Sequence, residues 1–171
     1  LGKAGAAPLR LTRNDASDSD AAFAPDGRSV YFLSTRSGSS QVWRLSFDGG
    51  EAVQVTTLPL DVGTFRLSPK GDRLALTLDI PRTCLADSAP VDCAVIAKDK
   101  RALGSARTYD SLFVRHWDTW ADGTRSVLFS QPLDGQGTAN GKPVALSAPL
   151  DGDVPSKPSG GNEEYAFSPD G

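Results

Sequence analysis

An all-β fold of repeated four-stranded units is predicted for this 171-residue chain by three observations. A turn motif recurs, with F-A-P-D-G at 23–27, L-S-P-K-G at 67–71 and F-S-P-D-G at 167–171. In each, proline presets φ and glycine supplies a positive φ, which is the chemistry of a turn between strands. Short runs rich in β-branched and aromatic residues follow the turns. The 17 glycines and 12 prolines make up about a sixth of the chain, above the usual ~12%. Together these predict a partial β-propeller. It has about two four-stranded blades plus flanking strands, and it carries an inserted loop with a short helix.

The elements follow in order. Pro8–Thr12 (P-L-R-L-T) reads like Ala52–Thr56 (A-V-Q-V-T), a fourth strand without its first three. Ser29–Ser34 is a strand, Arg36–Ser40 a polar loop, and Gln41–Phe47 an alternating strand. In that strand Val42, Arg44 and Ser46 fall on one face and Trp43, Leu45 and Phe47 on the other. Asp48-Gly49-Gly50 is a hairpin turn before Ala52–Thr56. The second unit opens with Thr64–Leu67 and Arg73–Leu78, then breaks. It resumes at Ser126–Leu133, followed by Asp134-Gly135 and Pro143–Leu146. Pro25 and Pro69 are 44 residues apart, whereas the hairpin residues Asp48 and Asp134 are 86 apart, which leaves 42 inserted residues. Residues 80–124 (Ile80–Thr124) are therefore expected to leave the second blade, with a short helix near Val91–Leu103. Ser147–Gly161 is a Pro/Gly/Ser-rich loop between blades, and a further first strand follows at Tyr165–Phe167.

The balance of 18 basic and 21 acidic residues gives a net charge of −3, so a nucleic-acid partner has no electrostatic footprint. With 39% hydrophobic and 23% charged residues, the composition is globular, and a compact chain of this size buries roughly two-thirds of its unfolded surface. No apolar run approaches the ~20 residues of a membrane span. Methionine is absent, and Leu1–Arg10 lacks a basic-then-apolar leader. Either a leader has been removed or residues 1–171 are an internal piece of a propeller domain. Beginning and ending inside blades, the chain is expected to need the remainder of the same protein along its edges. The competing fold is a free-standing sandwich of about ten strands.

Cys84 and Cys93 are the only cysteines, lie in one loop, and have eight residues between them. A disulfide is expected, implying an oxidising compartment, the periplasm or outside. The alternative is two free buried thiols in a cytoplasmic protein. Zinc would need more ligands at familiar spacing than these two cysteines and the single histidine, His116, supply. His116, flanked by Arg115 and Trp117, either faces a cavity or is a structural histidine in a Trp-rich anchor. Trp117 and Trp120 either stack on substrate or pin the long insertion by burying large area. Lys98, Lys100, Arg101 and Arg107 read as the wet face of the helix, with an anionic-substrate site as the lesser alternative. No cofactor, metal or catalytic residue is expected.

Residues 23–50 (F-A-P-D-G-R-S-V-Y-F-L-S-T-R-S-G-S-S-Q-V-W-R-L-S-F-D-G-G) resemble the repeats of TolB-like periplasmic propellers. They also resemble the amino-terminal propeller of the prolyl oligopeptidase family of serine peptidases. The Cys84/Cys93 loop and Tyr109–Trp120, with its R-H-W-D-x-W stretch, look like the insertion of secreted bacterial dipeptidyl peptidases and acylaminoacyl-peptidase-like members. That resemblance implies a propeller cap over a separate α/β-hydrolase domain holding a Ser-Asp-His triad, with short peptides as substrate. The triad maps onto no residue here, since there is no G-x-S-x-G elbow and His116 sits in the insertion. Glu163-Glu164 is similar to paired acids that bind a substrate amine in some dipeptidyl peptidases. Its context differs, and it reads as a solvated strand entry. Two functions remain: the gating segment of a secreted serine exopeptidase, or a TolB-like module that docks proteins.

Overall fold

A computed structural model describes residues 7–8, 10–101, 115–116, 119–120 and 123–171. Its main body is two antiparallel four-stranded sheets. The first runs β1 (Asp18–Phe23), β2 (Ser29–Ser34), β3 (Gln41–Ser46) and β4 (Val53–Gln54), in that spatial order. The second is made of β5 (Val62–Leu67), β6 (Arg73–Pro81), β9 (Thr124–Pro132) and β10 (Val144–Ala145), also in sequence order across the sheet. Between β6 and β9 lie a 3-10 turn at Arg82–Cys84 and helix α1 (Pro90–Arg101). A separate strand pair, β7 (Arg115–His116) with β8 (Thr119–Trp120), lies there too. In each sheet the strands lie side by side in sequence order, unlike the Greek-key exchange of an immunoglobulin-type sandwich.

The repeat predicted from the turns extends to the registers. Ser29 pairs with Ser46 and Ser34 with Gln41 in the first sheet. Arg73 pairs with Pro132 and Leu78 with Val127 in the second. Adding 44 to the second strand and 86 to the third converts one set into the other. The turns match as well: Gly27 and Gly71 adopt φ 66° and 70°, and their N–H groups donate to Ala24 O and Ser68 O at 2.9 Å. The same bond recurs from Gly171 to Ser168 O at 3.0 Å.

Alternation places Leu74, Leu76, Leu78 and Ile80 on one face of β6, each 0–1% exposed. With Phe65, Val127 and Phe129 they pack against Tyr31, Leu33, Val42 and Val55 of the first sheet in one apolar cluster. The opposite face of the first sheet carries a smaller cluster of Val30, Phe32 and Leu45. There the Arg36 guanidinium stacks 5.1 Å from the Phe32 ring and 5.0 Å from that of Trp43, a cation–π arrangement. Both Asp18 carboxylate oxygens accept from Arg36 at 2.9 Å. Burial pushes the Asp18 carboxyl up, but hydrogen bonds from Ser34, Arg36 and Thr12 outweigh it and hold the group below its ordinary range.

Two expected strands join no ladder among the described residues. Pro8 and residues 10–12 are not in a sheet. No described strand runs beside them to complete the pairing, and the Arg10 side chain instead bonds Thr12 O at 2.7 Å. Tyr165 is extended, at φ −142° and ψ 154°, yet Tyr165–Phe167 joins no described ladder. An extended backbone becomes a strand only when a neighbour takes its hydrogen bonds.

Candidate functional site

The end of the second sheet where β5 begins, β6 ends and β9 begins gathers most of the chemistry. Beyond β6 the chain turns through Arg82–Cys84 into α1, whose first residue is Pro90, a position where a missing N–H costs nothing. Asp87 Oδ1 accepts the Ala89 N–H at 2.8 Å just ahead of the helix. Ala94 is buried, and Val91, Cys93, Val95 and Ala97 pack partly against the core. Cys84, only 1% exposed, is bonded to Cys93 with the Cα atoms 5.6 Å apart. The disulfide thus ties the 3-10 turn to the first helical turn. Because both thiols are consumed, no thiolate pair remains for zinc.

Beside the helix lies a cleft of about 220 Å³, lined by Asp61, Gly63, Thr77, Asp79, Lys98 and Ser126 among others. Its floor is shaped by a register shift in β5 between Val62 and Phe65, which repeats a shift in β1 between Ser19 and Ala22. An extra residue in one strand re-aims side chains locally. A Cβ on Gly63 would stand 3.0 Å from Thr77 Oγ1, so glycine leaves room for that hydroxyl. Thr77 Oγ1 accepts the Thr64 N–H at 3.0 Å and lies 3.1 Å from Thr64 Oγ1. Thr64 Oγ1 in turn lies 2.7 Å from Tyr165 Oη. Burial raises the Tyr165 phenol to about 12, despite the opposing pull of the Thr64 hydrogen bond and the Arg66 charge.

Charges of both signs rim the cleft. The Ser40 N–H donates to Asp61 Oδ1 at 2.8 Å, and Lys157 Nζ pairs with Asp79 at 2.9 Å. Lys98, predicted on the wet face of the helix, is exposed and stands on the cleft wall. The arrangement can hold polar groups.

The predicted site residues divide. In β7 and β8, Arg115 pairs with Trp120 and His116 with Thr119 through the backbone. Trp117 and Arg107 lie outside the described residues, and Lys100 and Arg101 close helix α1. Glu163 and Glu164 are exposed and directly precede the extended Tyr165. They occupy a 3-10 turn, Asn162–Glu164, and bond within their own loop. Glu164 accepts from Ser156 N at 2.8 Å and from Ser156 Oγ at 2.6 Å, and these bonds lower its pKa. Glu163 accepts from the Gly161 N–H at 3.0 Å. Sequence reasoning missed Thr64, Thr77, Asp79 and Tyr165. The only signal was that Thr64 and Tyr165 each sit at the start of a repeat unit.

No protein-family profile matches the chain. It is similar to fungal dipeptidyl-peptidase 5 sequences. With that of Arthroderma otae it shares 33% identity over 126 residues, 71% of this chain and 17% of the relative. With that of Trichophyton equinum the identity is 42% over 79 residues, 44% and 11% of the two chains. With that of Aspergillus fumigatus it is 41% over 75 residues, 40% and 10%. The chain therefore spans between a tenth and a sixth of the length of these relatives. Among solved structures, that of a TolB from Agrobacterium tumefaciens aligns at TM-score 0.44 and 22% identity. That alignment covers 78% of this chain and 35% of the other.

Proposed function

We propose that the chain is a propeller segment of a secreted serine exopeptidase of the prolyl oligopeptidase family, one that releases dipeptides or acylated residues from short peptides. The observation that carries this reading is the 33% identity with a dipeptidyl-peptidase 5 across 71% of the chain. Two four-stranded sheets, each in sequence order and in equivalent register, are what two neighbouring blades require. The Cys84–Cys93 disulfide suits an oxidising compartment.

In this reading the remaining blades of the same protein lie along the free sheet edges, and the hydrolase domain supplies nucleophile, base and oxyanion donors. The residues of this chain exclude and orient: a walled cavity admits short peptides and raises their effective concentration at the distant serine. Arg115, His116, Trp117 and Trp120 belong to the insertion that shapes that wall.

The test compares the full-length protein with residues 1–171 on dipeptidyl and acyl-aminoacyl chromogenic substrates. Activity sensitive to a serine-directed phosphonate is expected only from the full-length protein. A full-length protein without a hydrolase domain, or one inert on both substrate classes, overturns the reading and leaves a TolB-like docking module.

A further inference from the structure

The two sheets are joined by apolar packing, but the segment after β10 is held differently. Between residues 149 and 165 only Pro155 and Tyr165 are buried, and no side chain of this stretch joins either apolar cluster. Polar contacts fasten it at three places. At β9, the Ser126 N–H donates to Asp153 Oδ1 at 2.8 Å and the Val154 N–H to Ser126 O at 3.0 Å, while Arg125 pairs with Asp151. Across the sheet end, Lys157 Nζ reaches Asp79 and Thr124 Oγ1, each at 2.9 Å. At β5, Tyr165 Oη meets Thr64 Oγ1 at 2.7 Å and Arg66 Nε donates to Asn162 O.

The stretch is also fastened to itself. Glu164 accepts the Ser156 N–H at 2.8 Å and the Ser156 hydroxyl, which lies 2.6 and 2.7 Å from the two carboxylate oxygens, and the Gly160 N–H donates to Ser156 O at 2.7 Å. Residues 156–164 thus form a closed loop with its own cross-link. Two of the residues it holds down, Asp79 and Ser126, line the cleft beside helix α1.

We propose that residues 149–165 are a strap that lifts from the second sheet as one body, latched by the Tyr165–Thr64 hydrogen bond, and that its lifting opens the cleft at Asp79 and Ser126. Ion pairs in contact with solvent hold weakly, and a segment in which only Pro155 and Tyr165 are buried opens locally at less cost than a sheet. Internal cross-linking makes the opening cooperative. The proposal stands apart from the peptidase reading, since it concerns only groups present in this chain.

Hydrogen exchange of the full-length protein, resolved to single amides, tests it. The amides of Ser126 and Val154, bonded across the contact between strap and sheet, report the lifting; those of Gly160 and Glu164, bonded within the strap, report its cross-link, and those of Leu76 and Phe129 report the sheet. Ser126 and Val154 are expected to share one opening constant and to exchange at least about tenfold faster than the sheet amides. Tyr165→Phe, which removes one hydrogen bond at the far end of the strap, should raise the Ser126 and Val154 rates about fivefold to tenfold and leave Gly160, Glu164, Leu76 and Phe129 unchanged. Ser156→Ala, which cuts the cross-link, should speed Gly160 and Glu164. Ser126 and Val154 as slow as the sheet amides, unrelated rates for the two in the wild type, or sheet and strap accelerating together in Tyr165→Phe would each overturn the proposal. Should Tyr165→Phe lose sheet protection altogether, Lys157→Gln gives the same reading from the exposed side of the strap, and sheet and strap rates rising together there overturns it equally.

Discussion

Thr56 and Ser147 occupy equivalent places in the two sheets. Each hydroxyl accepts the amide hydrogen of the third strand, from Val42 and from Leu128, at 2.9 Å. The Val42 and Leu128 carbonyls in turn each accept two successive N–H groups, from Val55 and Thr56 at 2.8 and 3.2 Å, and from Leu146 and Ser147 at 2.8 and 3.4 Å. A side-chain oxygen therefore replaces one backbone acceptor at the same point of each repeat. The spacing between the pair is 91 residues rather than the 86 that separates the preceding strands, because the hairpin after Asp134 is longer than the one after Asp48.

This pairing predicts unequal costs for removing the two hydroxyls. Thr56, fully buried, also donates to Gln41 Oε1 at 2.8 Å, and Gln41 bonds the Leu58 and Leu60 carbonyls at 3.0 and 3.1 Å. Thr56→Val strands the Val42 N–H and weakens that buried network, an expected loss of about 2–3 kcal/mol. Ser147→Ala strands one N–H and should cost about 1 kcal/mol. Chemical denaturation of the intact protein measures both, and equal losses would contradict the network.

Removing the disulfide by the Cys84→Ser/Cys93→Ser double substitution should destabilise the folded protein by about 2–3 kcal/mol, the chain-entropy value for so short a loop. Because the bond ties the 3-10 turn to α1, amide protection should fall first in the helix and later in β6. Urea titration with helix-resolved hydrogen exchange checks the amount and the order.

Tyr165 makes alkaline stability depend on one phenol. Its native pKa is raised to about 12, above the ordinary value near 10, so folding favours the protonated form. That contribution is fully present below about pH 10 and is lost as pH rises through the native value. Tyr165→Phe should remove the part of the alkaline destabilisation that sets in between about pH 10 and 12. Ultraviolet phenolate titration beside thermal melts follows both; an unchanged alkaline slope in the variant would exclude Tyr165 as its source.

Among the phenylalanines, burial separates large effects from negligible ones. Phe65 and Phe129 are 1% and 0% exposed, and either change to alanine should cost about 3–5 kcal/mol. Phe23 is 63% exposed and meets Phe47 at a centroid distance of 6.0 Å. Phe23→Ala should therefore stay within about 0.5–1 kcal/mol. Denaturation midpoints rank the three.

The two sheets were legible in the sequence because turn chemistry is local. Pro25 and Gly27, or Pro69 and Gly71, fix a reversal whatever surrounds them, and alternation in Gln41–Ser46 assigns faces within one strand. The helix was legible to within a residue or two of its ends, Pro90–Arg101 against an expected Val91–Leu103. The segment Pro8–Thr12 matches Ala52–Thr56 in sequence, but the neighbour that would pair with it does not follow from sequence and is not among the described strands.

By itself, the sequence determined the repeat, its period and the two cysteines available for a bond. The tertiary structure decided which polar groups meet. Thr64 finds Tyr165 across 101 residues, and Lys157 finds Asp79 at 2.9 Å. Glu164, exposed to solvent, accepts from Ser156 across its own loop. Strand formation and turn geometry are set by neighbours a few residues apart, whereas a cleft and its strap are assembled from side chains brought together only when the sheets pack.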